Sequence, residues 1–94
     1  YSVTTSDAAW VRIYTTTAAR TADAGRPQNT DPTPGSGVIA EVITTGSQKI
    51  TMSPGVIGYN DESSPTTDVQ LAVTNNTAFS ANITVTLSLL QLEI

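Results

Sequence analysis

Along this chain apolar side chains alternate with polar and hydroxyl-bearing ones at a period of two, a rhythm that belongs to β-strands and leaves little room for helix. From Ala9 to Thr15, Val11, Ile13 and Thr15 fall on one face, and Trp10, Arg12 and Tyr14 fall on the other. The composition agrees. Seventeen Thr and nine Ser make 26 hydroxyl residues of 94, and charged residues are only 13%. Thr, Val and Ile lose side-chain freedom in a helical turn but fit a pleated surface. The expected fold class is all-β: an antiparallel β-sandwich or jelly roll of six to seven short strands, in one domain spanning residues 1–94, with at most one short helical turn.

Strands are expected over Tyr1 to Thr5, Ala9 to Thr15, Val38 to Thr45, Gln48 to Ser53, Val56 to Tyr59, Val69 to Thr74 and Asn82 to Ile94, the last being the longest. Gly46 and Ser47 between two of them suggest a hairpin. TAARTADAG is the helical turn, with Thr17 to cap its start and Gly25 to end it. Arg20 and Asp23 within it and Arg26 just after it follow at spacings of three, which places them on one side if the turn forms. The segment Pro27 to Gly37 holds three of the five prolines and two glycines, so it is a long surface connection. The expected core is Val11, Ile13, Val38, Val42, Ile50, Leu71, Val73, Val85 and Leu87, with Val69 also turned inward.

With no cysteine and no histidine, the chain lacks thiolate nucleophiles, imidazole bases and Cys/His metal sites, and no cofactor is expected. No run approaches the roughly 18 apolar residues of a spanning helix, so a soluble chain with no membrane partner is expected. An isoelectric point near 4.2 disfavours nucleic acid. A start at Tyr1 rather than Met suggests a processed product, a cut domain or a sequence read from a particle.

Few residues suggest chemistry. Asn60, Asp61, Glu62 and Asp68 could offer oxygen ligands to calcium across the loop NDESSPTTD, but without EF-hand spacing a solvated acidic loop is the plainer reading. Glu41, Asp61, Glu62 and Asp68 could supply a carboxylate pair for glycoside hydrolysis, although eight acids give such pairs by chance. Ser36 lacks the surroundings of a nucleophile elbow and reads as a turn. Asn75 and Asn82 open glycosylation sequons that also read as a turn and a strand start. Trp10, Arg12, Tyr14, Arg20 and Arg26 could together form an aromatic and cationic surface for a sugar ring, a nucleic-acid base or a protein partner; the alternative makes Trp10 a core anchor with Arg12 packed along Tyr14. Residues 8–26 carry three Arg and one Asp, a net +2, against −6 elsewhere, an asymmetry that favours contact between copies. In the last strand Ile83, Val85, Leu87 and Leu89 share a face, after which Leu90, Leu92 and Ile94 occupy the opposite one. That change of phase marks either a bulge or a contact with another copy.

The segments DAAWVRIYTTTAARTADAGR, DPTPGSGVIAEVITTG, ITMSPGVIGYNDE and ITVTLSLLQLEI, which run from about Asp7 to Ile94, resemble a β-sandwich module in structural proteins of tailed bacteriophages, notably those of cyanobacteria. The resemblance lies in strand and turn motifs and assigns no catalytic residue. It implies a non-enzymatic subunit of the virion, in tail, fibre, baseplate or capsid decoration, that assembles as a homo-oligomer and contacts neighbouring virion proteins, with a host surface glycan as a further partner. The candidate contact residues are then Trp10, Arg12, Tyr14, Arg20, Arg26, Leu90, Leu92 and Ile94. Two other readings are a carbohydrate-binding module using Trp10 and Tyr14 as a stacking platform, and a pilin-like filament subunit that donates a strand.

Overall fold

In a computed structural model, which describes residues 2–28, 30–52, 56, 58–64, 68–79 and 82–89, six strands and one short helix follow one another along the chain. They are β1 (Ser2–Thr5), β2 (Ala9–Tyr14), α1 (Thr17–Ala22), β3 (Val38–Ile43), β4 (Gln48–Thr51), β5 (Gln70–Asn75) and β6 (Val85–Ser88). They form two three-stranded antiparallel sheets, ordered β4-β1-β6 and β3-β2-β5. The fold is a small all-β sandwich. Val3 from the first sheet meets Ala9 and Val11 from the second, with Val85 and Leu87 packed from one side and Ile13, Val42 and Leu71 from the other.

The hairpin expected at Gly46 and Ser47 does not form. β3 pairs with β2 while β4 pairs with β1, so the chain crosses between sheets there. Thr44, only 2% exposed, fixes the crossing. Its backbone N–H donates to Ala9 O at 2.8 Å, and its Oγ1 accepts both the Ala9 N–H at 3.0 Å and the Thr5 hydroxyl at 2.8 Å while donating to Asp7 O at 3.2 Å. A hydroxyl has two lone pairs and one proton, so this set satisfies it fully. Two residues that pair in different sheets are thus held to one corner.

The short first strand proves central. β1 lies between β4 and β6, and β2 lies between β3 and β5, so residues 6–8 form a tight arch joining the two middle strands. Of the expected core, Val11 is fully buried and Ile13, Val42, Leu71, Val85 and Leu87 pack against the central cluster. Val73 does not stay inside. It shares Val11's register, but its strand is an edge, and it is 43% exposed; Val69, just before that strand, is 41% exposed. Ile50 is half-buried on edge strand β4, and a register shift between Ile13 and Tyr14 sets Val38 opposite Tyr14, where Ile39 would otherwise stand. Residues 56 and 58–59, expected as a strand, form none, and Val56 and Tyr59 are exposed.

Among the described residues, strand β6 covers Val85–Ser88 of the expected long C-terminal strand. Ile83, Val85 and Leu87 pack toward the core as their alternation requires, whereas Leu89 is 63% exposed. The expectation for Leu90, Leu92 and Ile94 lies outside the described residues. No helix among those described is long and apolar enough to cross a membrane.

Helix α1 starts one residue earlier than expected. Thr16, in extended conformation, is the N-cap, and its Oγ1 accepts the Ala19 N–H at 2.9 Å; Asp23, not Gly25, is the C-cap. Glu62 adds a second cap from across the chain by accepting the Thr17 N–H. That bond holds the Glu62 carboxyl below the usual carboxylate range.

Candidate functional site

Alternation along β2 puts Trp10, Arg12 and Tyr14 on the face turned away from the sandwich interior, opposite Ile43, Glu41 and Val38 on β3. That face is not open. Trp10 is 4%, Arg12 6% and Tyr14 2% exposed, because α1 and the connection after it fold back over the sheet. The sequence therefore misjudged β2 as half-buried; both of its faces are covered.

The cover is an ionic and aromatic cluster. Arg12 lies over the Trp10 ring with its guanidinium carbon 3.8 Å from the centroid, and Arg26 approaches the same ring at 5.3 Å. Arg26 grips Asp23 through Nε to Oδ1 at 2.8 Å and Nη2 to Oδ2 at 3.0 Å, and it reaches Glu41 Oε2 at 2.9 Å. Arg26 Nη1 also donates to Thr30 O at 2.6 Å, which holds the start of the long connection. The Trp10 indole N–H donates to Glu41 Oε1 at 3.1 Å, and the Tyr14 hydroxyl donates to Asp23 Oδ2 at 2.5 Å. Arg12 Nη2 donates to Thr74 Oγ1 at 2.7 Å, while its Nε is buried without a partner beside the indole.

The charges respond accordingly. Hydrogen bonds from Arg26, and secondarily from Tyr14, hold the Asp23 carboxyl below its ordinary range. Asp23, and to a lesser degree Glu41, raise the Arg26 pKa in turn. Burial first, and then donation to the Asp23 carboxylate, raise the Tyr14 hydroxyl. Within this cluster two cations and two carboxylates offset one another, so the arrangement clamps α1 and the residues after it onto the sheet.

Of the residues singled out in the sequence, the structure brings Trp10, Arg12, Tyr14 and Arg26 together, with Asp23 and Glu41 as the partners that spacing alone did not name. Arg20 stands apart from them, since its Nη1 donates to Leu71 O on β5 at 3.3 Å. The expected row of Arg20, Asp23 and Arg26 is thus a pair plus an outlier, because α1 ends at Ala22 and Asp23 begins a turn. Trp10 and Tyr14, being enclosed, offer no stacking platform, and the positive stretch over residues 8–26 is largely neutralised where it stands.

The acidic loop serves as local structure. Asn60 Oδ1 accepts the Glu62 N–H at 3.0 Å, and Asn60 Nδ2 donates to Asp68 O at 3.1 Å. Among the described residues no three carboxylates converge. Asn75 Oδ1 accepts the Thr77 N–H at 2.7 Å, so the first sequon forms an Asx-type turn, and the Ser36 N–H closes a turn onto Thr33 O. Thr5 and Thr44 are a structural pair that the sequence did not reveal, since buried threonines look like any others in a chain with 17 of them.

No family model, no curated protein and no solved structure matches this chain.

Proposed function

We propose that the chain is a non-enzymatic building block of a phage virion, in tail, fibre, baseplate or capsid decoration, and that it works by assembling with copies of itself and with neighbouring virion proteins. The carrying observation is where apolar surface is left uncovered. Ile43 on β3, Val69 and Val73 at β5 and Leu89 after β6 are all 41% exposed or more, and each lies on or beside an edge strand. Edge strands present unpaired backbone donors and acceptors, and monomers protect them with charge, bulges or covering loops. Large aliphatics there favour pairing with another chain. The polar cluster supports the same reading, since Asp23 and Glu41 are engaged by Arg26 and Trp10 and serve to hold the sheet's cover in place. The virion setting follows the resemblance of the four segments between Asp7 and Ile94.

Light scattering of the full chain across micromolar concentrations tests the assembly. An oligomer is expected, and Val73→Lys should dissociate it while far-UV circular dichroism stays unchanged. A monomer at every concentration refutes the reading. Antibody labelling of purified particles tests the virion setting, and unlabelled particles reject it.

A further inference from the structure

Where β2 ends, a cavity of about 390 Å³ opens between the turn around Gly35 to Gly37 on one side and Tyr59 and Asp61 on the other. Thr15 stitches the two walls together: its N–H donates to Gly37 O at 2.9 Å, and its carbonyl accepts the Asp61 N–H at 2.8 Å. The turn leaves no room for a side chain at Gly37. Gly37 has φ +90°, and a Cβ there would lie 2.7 Å from the Ala19 methyl and 2.9 Å from Thr15 Oγ1. At Gly58 an added Cβ would lie 2.7 Å from Ile39 Cγ2, so a side chain just before Tyr59 would displace Ile39. Both walls are thus tied to the end of β2 through the backbone of Thr15.

The groups facing this cavity are unspent. Tyr59 is 67% exposed, and neither its hydroxyl nor the Asp61 carboxylate has a hydrogen-bond partner among the described residues. Thr33 and Ser36 add hydroxyls, and Pro32 and Pro34 add apolar wall. Among the described residues no cation lines the site and Asp61 is its one charge, so phosphate, sulfate and carboxylate ligands are repelled. What remains is a flat aromatic face beside a two-oxygen acceptor and hydroxyls able to donate or accept. A pyranose ring has the matching surfaces: an apolar C–H face to lie on the tyrosine and a rim of hydroxyls, two of them adjacent, for the carboxylate.

We infer that this cavity binds one neutral saccharide ring, with Tyr59 stacking on its face and Asp61 accepting from its hydroxyls. The site is distinct from the enclosed Trp10 and Tyr14 face and does not depend on the assembly proposal. A volume near the low end for ligand pockets suits one ring at the end or branch of a glycan.

The test is an amide-resolved NMR titration of the full chain with glucose, galactose, mannose and N-acetylglucosamine as probes. Saturable millimolar shifts are expected at the Gly35, Ser36, Gly37 and Asp61 amides with at least one of them. Tyr59→Ala should weaken binding about tenfold, Asp61→Asn about threefold or more, and Tyr59→Phe less than about threefold because the ring persists. Tyr59 is exposed, so the variants should keep the wild-type amide pattern elsewhere, which the same spectra verify. No saturable shift with any of the four sugars overturns the inference, and so does binding that Tyr59→Ala leaves intact.

Discussion

Replacing Thr44 with Val should destabilise this protein more than any other loss of a single hydroxyl among its described residues. The substitution keeps the branched shape, so a methyl fills the space of Oγ1 and no sizeable cavity opens. The Ala9 N–H, bonded to that oxygen at 3.0 Å in a fully buried position, loses its acceptor. An orphaned buried donor costs about 1–3 kcal/mol. The Thr5 hydroxyl loses its 2.8 Å acceptor but can still reach Gly46 O, at 3.2 Å, and so recovers part of its bond. Together these give about 2–3 kcal/mol, a large share of the roughly 5–15 kcal/mol typical of a whole domain. Thr5→Val should cost less, about 1 kcal/mol, because Thr44 Oγ1 keeps the Ala9 N–H and its own donation to Asp7 O. The double variant should cost little more than Thr44→Val alone, since Thr5 has by then lost its main partner. Urea unfolding followed by Trp10 emission reads all three, the indole being buried in the folded state. With a slope of about 1–1.5 kcal/mol/M for a small domain, 2 kcal/mol moves the midpoint by roughly 1.3–2 M. If Thr44→Val stays within about 0.5 kcal/mol of the parent, or costs less than Thr5→Val, the crossing is not held by this hydroxyl.

Three further outcomes follow from the same geometry. Gly37→Ala should lose about 2–3 kcal/mol in urea unfolding, since its φ of +90° comes with a contact 2.7 Å from Ala19, while Gly35→Ala, at φ +79° with open space around it, should lose about 1 kcal/mol; equal losses would mean that the contact is relieved freely. Stability should hold through neutrality and fall as pH drops below 3.8, the ordinary Asp value, because an Asp23 carboxyl held below that value contributes only while ionised. Urea midpoints at descending pH should show a shallower acid loss in Asp23→Asn, and an identical loss in the variant counts against the Arg26 bond as its cause. Arg26→Glu should cost roughly 2–4 kcal/mol by thermal or urea unfolding, because it leaves Asp23 and Glu41 facing a third carboxylate; a change under about 0.5 kcal/mol would make the cluster mere surface pairing.

The strands were legible because period-two alternation reports which residues share a face, and Val11, Ile13, Leu71, Val85 and Leu87 all point where their spacing places them. Alternation does not report which strand neighbours which. Gly46 and Ser47 have hairpin chemistry, yet the chain uses them to change sheets, and the residue responsible is Thr44, whose bonds to Ala9 and Thr5 span sequence separations of 35 and 39 residues. No local pattern carries contacts of that range. Edge position is equally invisible: Val73 has the register of a core residue and the exposure of an edge one.

The cluster on β2 was half legible for a related reason. Trp10, Arg12 and Tyr14 at alternate positions must share a face, and that much follows from the backbone alone. Whether such a face is a binding surface or an interior depends on what folds over it, and here the cover comes from Asp23 and Arg26, beyond the end of a six-residue helix. Glu41 completes it from β3, directly across the strand from Arg12, yet it bonds Arg26 and Trp10 instead. The indole lets one carboxylate serve both elements: its N–H holds Glu41 in place, and its ring receives the two guanidinium groups that would otherwise repel each other in a dry setting. The aromatic and cationic residues that make a sequence look ready to bind sugar are used inside the fold. The exposed tyrosine of the proposed saccharide site, Tyr59, lies in a segment whose short apolar run suggested only another strand.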